Sequence, residues 1–80
     1  MAGCFVTIAA RGKSGRLYTA VTGKLVPWRG NGARLVWYEE HPSLALARRR
    51  AKDIRRWKRT CKRAAIERFN PGWKDLSASR

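Results

Sequence analysis

The spacing of the apolar residues changes at Pro42-Ser43, and that change limits what this 80-residue chain can build. Ahead of it lie short β-branched and aromatic runs separated by glycines. Gly3 to Ala10 reads as a strand, with Val6 and Ile8 on one side and Phe5 and Thr7 on the other. Gly12-Lys13-Ser14-Gly15 reads as a turn and Arg16 to Thr22 as a second strand, so the two segments form a hairpin. Gly23 to Gly32, with Pro27 and three glycines, reads as a loop, and Arg34 to Glu39 as a third strand. After Ser43 the period lengthens. Leu44, Ala47, Ala51 and Ile54 recur every three or four residues, which marks an apolar stripe on a helix with Ser43 as its N-cap. Trp57, Cys61, Ala64 and Ala65 extend the stripe, and one long helix or two with a bend near Trp57 to Arg59 both satisfy it. Asn70-Pro71-Gly72 ends the helical region, and Trp73 is expected to fold back on the core. The expected fold class is α+β: a small three-stranded antiparallel sheet packed with two C-terminal helices. It forms one domain over 1–76, with a frayed tail over 77–80.

A chain this short has room for one modest core. Its 44% apolar content and four tryptophans are those of a folded chain. No apolar run reaches membrane-spanning length, and Met1 to Ala10 lacks the basic flank of a signal peptide. Cys4 and Cys61 have no metal-ligand spacing and read as small buried thiols in a reducing compartment, so the cytoplasm is the expected location.

Nineteen Lys and Arg against five Asp and Glu give a net charge of +14. A folded domain this basic repels itself and calls for a polyanion. Nucleic acid is the usual one, although an anionic membrane or an acidic protein would also satisfy the charge. Between Arg48 and Arg68 stand eleven Lys or Arg, opposed only by Asp53 and Glu67. Like charges four apart, as in Arg48/Lys52, Arg55/Arg59 and Arg59/Arg63, cost helix stability unless something screens them. Solvated helix faces normally mix signs, so Arg48, Arg49, Lys52, Arg55, Arg56, Arg59, Lys62 and Arg63 are expected to contact the phosphates of DNA or RNA rather than a membrane. Trp28, in a Pro-Trp-Arg-Gly loop, fits either a cap on the core or a platform for an unpaired base.

The order of these pieces resembles the GIY-YIG nuclease superfamily, in its short stand-alone bacterial form. Phe5-Val6-Thr7-Ile8 and Leu17-Tyr18-Thr19-Ala20-Val21-Thr22 look like the strands bearing the two tripeptides. Arg34 to His41, Ile54-Arg55-Arg56-Trp57, Ala64 to Glu67 and Asn70 to Leu76 carry the resemblance through the rest of the chain. The family implies a small sheet flanked by helices and a Mg²⁺-dependent cleavage of phosphodiesters. It places a tyrosine on each of the first two strands, an arginine on the following helix and a metal-binding glutamate on a later helix. In this sequence those positions hold Thr7, Tyr18 and, for the glutamate, Ala51. The glycine of the second tripeptide falls at Ala20, and Gly23 to Ala33 leaves no room for the arginine-bearing helix. With those groups missing, no cofactor is expected, and Mg²⁺ enters only with residual cleavage. The resemblance thus implies a nucleic-acid-binding module without catalysis. Two alternatives stand beside it. One is a residual endonuclease that recruits Tyr18, Glu39 or Glu40, and Asp53. The other is a basic structural subunit of a ribonucleoprotein or protein assembly.

Overall fold

The structure, a computed structural model, describes residues 3–11, 16–23 and 33–76. The expected turn at Gly12 to Gly15, the loop carrying Trp28 and the tail from Ser77 lie outside the described residues. Strands β1 (Cys4–Arg11), β2 (Arg16–Thr22) and β3 (Ala33–His41) are followed by helices α1 (Leu44–Arg56) and α2 (Arg59–Phe69). The strands form one antiparallel sheet in the order β2-β1-β3. The fold is therefore α+β, as the spacing predicts.

β1 lies at the centre, has no charged residue before Arg11 and is covered on both sides. Val6, Thr7, Ile8, Ala9 and Ala10 are all buried. Val6, Ile8 and Ala10 face the helices, where they meet Ala47, Ala51, Ile54 and Ile66. The two alanines leave α1 little bulk on the first part of that stripe, so its backbone can lie close to the sheet there. At the start of β1, Gly3 passes so near β3 that a Cβ there would fall 2.7 Å from the carbonyl oxygen of His41.

The alternation in β3 breaks where the register slips between Ile8 and Ala9: Ile8 pairs with Trp37, but Ala9 pairs with Leu35. Val36 is the extra residue of this bulge. Both Val36 and Trp37 join the core, so three consecutive side chains, Leu35 to Trp37, are buried.

The helical region is two helices. Ser43 caps the first, its hydroxyl oxygen accepting the Leu46 N–H at 3.2 Å. Trp57 and Lys58 then adopt extended backbone and interrupt the run. The interruption re-phases the stripe. Beyond it Ile66 is the buried residue of α2, while Cys61 and Ala64 are exposed. Burying isoleucine removes more apolar surface from water than burying cysteine or alanine, which favours the rotated helix. The expectation of buried thiols is corrected accordingly: Cys61 is exposed and Cys4 is half-buried. Leu44 is also 46% exposed, because the stripe reaches the sheet only from Ala47 onward.

Asn70 fastens the C-terminal segment to the sheet. Its Nδ2 donates to the carbonyls of Val36 (3.2 Å) and Lys74 (2.9 Å), and its Oδ1 accepts the Lys74 N–H at 3.2 Å. These bonds hold Trp73 in the left-handed region (φ 53°), with its N–H on the Asn70 carbonyl at 2.9 Å. Trp73 thereby packs back against the core, and the Asp75 carboxylate accepts the Leu35 N–H at 3.2 Å.

Candidate nucleic-acid interface

The helices run past β2 in the opposite sense to the strand, and this lines up their cations with alternate residues of β2. Arg48, Lys52 and Arg55 surround a groove with Val21 and Ala51 in its lining. Arg55 Nη2 donates to the Thr19 carbonyl at 3.1 Å. Further along, Arg59 and Lys62 share a second groove with Leu17 and Arg16. Val21, Thr19 and Leu17 share one face of the strand, so the row they mark is about 14 Å long. That length matches about four phosphates of one strand measured along a duplex axis.

Five of the eight cations expected from the sequence line these grooves: Arg48, Lys52, Arg55, Arg59 and Lys62. Arg49, Arg56 and Arg63 are exposed but line neither, and the Arg63 guanidinium lies 5.2 Å from the centre of the Trp73 ring. Arg16 was missed by sequence reasoning. It belongs to the hairpin, and it reaches the row because the start of α2 and the start of β2 line one groove.

The α1 cations of the row, Arg48, Lys52 and Arg55, have no carboxylate partner among the described residues. Among the described residues, Arg50 is the one cation of α1 paired with a carboxylate. Its Nε donates to Glu39 at 2.9 Å, and His41 Nε2 donates to the same oxygen at 2.8 Å. Partial burial pushes the Glu39 carboxyl up, but the hydrogen bonds and charges of Arg50 and His41 outweigh it and hold the pKa below the usual range. Arg50 also lies over Trp57, 5.1 Å from the ring centre, which ties it to the β3 side, away from the row. Neither helix has an acidic residue in its first turn, and α2 begins without a side-chain cap. The positive end of the α2 dipole thus adds to the charge at Arg59 and Lys62.

The positions that the family resemblance singles out are not gathered into one site. Alternation and the pairings Thr7↔Ala20 and Ala9↔Tyr18 put Thr7, Tyr18 and Ala20 on one face of the sheet. Thr7 is buried, and its hydroxyl donates to the Ala20 carbonyl at 3.4 Å. Ala51 is fully buried against the opposite face, so the sheet stands between it and Tyr18. The guanidiniums of Arg16, chiefly, and Arg11 favour the ionised form of the exposed Tyr18 phenol and lower its pKa, despite some desolvation.

A divalent cation does not fit these residues. Ala51 offers no oxygen ligand, and Arg48, Lys52 and Arg55 surround the groove beside it. Asp53 is exposed, and Glu39 is held by Arg50 and His41. Among the described residues no three of His, Cys, Asp and Glu come together.

No protein-family model, curated protein or solved structure matches the chain. The class that the fold and surface define is therefore a structural one: a small α+β domain with a row of cations along one edge strand. No helix among the described residues is long and apolar enough to cross a membrane.

Proposed function

We propose that the chain is a nucleic-acid-binding module derived from a GIY-YIG endonuclease, and that it holds the DNA or RNA backbone without cutting it. The observation that carries this reading is the row beside β2, where six Lys and Arg from two helices and a hairpin line two grooves without an acidic residue in their lining. Phosphates placed there displace counterions from the row, so binding weakens steeply with salt and reads little sequence. Loss of cleavage is supported by the buried Ala51 and by its separation from Tyr18. The free cysteines go with a reducing cytoplasmic setting.

Fluorescence anisotropy with labelled DNA and RNA, across a salt series, tests the binding. Lys52→Ala and Lys62→Ala are each expected to weaken all sequences alike and to lower the salt slope by about 1. Arg49→Ala, which leaves both grooves intact, is expected to change binding less. Equal effects at all three positions would reduce the row to diffuse charge. Incubation of supercoiled plasmid with Mg²⁺ or Mn²⁺ tests the chemistry, with no nicking expected. Nicking that vanishes in Tyr18→Phe would restore the endonuclease reading.

A further inference from the structure

α2 has a groove on its other side, and there the lining is aromatic. Trp37 and Tyr38 of β3, Trp57 between the helices, and Phe69 at the end of α2 surround it, together with Glu39, Arg50, Ala65 and Arg68. Past Trp57 it continues along α2 over Cys61 and Ala64, whose short side chains leave it open. Phe69 is 47% exposed. Its two ring neighbours meet it edge-on, Tyr38 at 5.2 Å and 85° and Trp37 at 6.4 Å and 64°, so neither stacks on it. A half-exposed phenylalanine beside two tryptophans is an expensive surface to leave to water.

We propose that this groove takes an unpaired nucleobase, stacked against Phe69, from a strand whose backbone lies on the β2 row. The inference rests on the nucleic-acid reading and makes it more specific, because it assigns single-stranded nucleic acid as the preferred partner. Three observations select a base over another occupant. The rim is cationic: Arg68 has no carboxylate partner among the described residues, which suits a ligand tethered to phosphate. The one carboxylate in the lining, Glu39, is already neutralised by Arg50 and His41 and leaves little charge to repel phosphate. The groove and the row flank the same helix, with Arg59 and Lys62 on one side and Ala65 and Arg68 on the other. The gap to be spanned is therefore one helix width, about 10 Å. Aromatic faces accept any base, so the site adds affinity without a sequence code.

The test uses the full chain and three labelled probes: a single-stranded oligonucleotide, the same backbone with abasic sites throughout, and the matching duplex. The base-bearing strand is expected to bind on the order of tenfold tighter than the abasic one, and to quench tryptophan fluorescence. Phe69→Leu keeps an apolar side chain but removes the ring, and Ala65→Leu fills the groove from α2. Both are expected to abolish the tenfold ratio while leaving duplex binding and the salt slope unchanged, with circular dichroism melts confirming that each variant folds. Equal binding of the base-bearing and abasic strands overturns the proposal but spares the backbone reading. Failure to bind any of the three probes overturns both. A dimer in sedimentation that Phe69→Leu dissolves would give the groove to a second copy of the chain instead.

Discussion

Two side chains hold more of this molecule together than their positions in the sequence advertise. Asn70 looks like a helix terminator, yet it makes three hydrogen bonds from a buried position and joins β3 to the C-terminal turn. Replacing it with alanine leaves the Val36 carbonyl and two Lys74 backbone groups short of partners and releases the strained Trp73. The expected cost is about 2–3 kcal/mol, read as a lowered denaturant midpoint with unchanged slope. Glu39 is the second. Its folded pKa lies below the unfolded one, so its contribution is full above the ordinary carboxyl range and is lost as pH falls through the lowered value. An acid titration of stability is expected to show this loss as pH falls below the ordinary carboxyl range, and Glu39→Gln to flatten it. A profile unchanged by that substitution would mean that the bonds to Arg50 and His41 contribute nothing. Asn70 was half legible: proline and glycine announce a turn, but nothing local says that the asparagine will reach across 34 positions to Val36.

At the scale of elements, what is local could be read and what depends on rotation could not. The hairpin strands, the Ser43 cap and the stop at Asn70 each follow from a few adjacent residues. The break at Trp57-Lys58 contains no proline or glycine, so the sequence left one or two helices open. The burial of Ile66 in the rotated second helix gives the break its tertiary reason. The same rotation decides which cations of α2 approach β2: Arg59 and Lys62 share a groove with Arg16, and Arg63 does not line it. The aromatic groove was less legible still, because its rings come from a bulged strand, an interhelical joint and a helix end. The rotation can be tested through Cys61. It is expected to react with a maleimide in the native protein, at a rate close to that of the unfolded chain. Strong protection of Cys61 would show a continuous helix with the older phase.

For the whole molecule, charge is the dominant cost. A net charge of +14 on 80 residues, with few internal ion pairs among the described residues, works against the compact state. Raising NaCl from low to moderate concentration is expected to raise the melting temperature, and a polyanion such as heparin to raise it further at equal ionic strength. A melting temperature that falls in both conditions would mean that self-repulsion is already balanced internally. The sheet order has a different consequence, one that concerns synthesis. The middle strand is made first and one of its neighbours last, so a chain growing on the ribosome carries β1 with one side open until His41 has emerged. During that interval a strand with no charged residue before Arg11 offers bare amides to any passing β-segment. Aggregation during synthesis is therefore expected to be greatest before β3 has emerged.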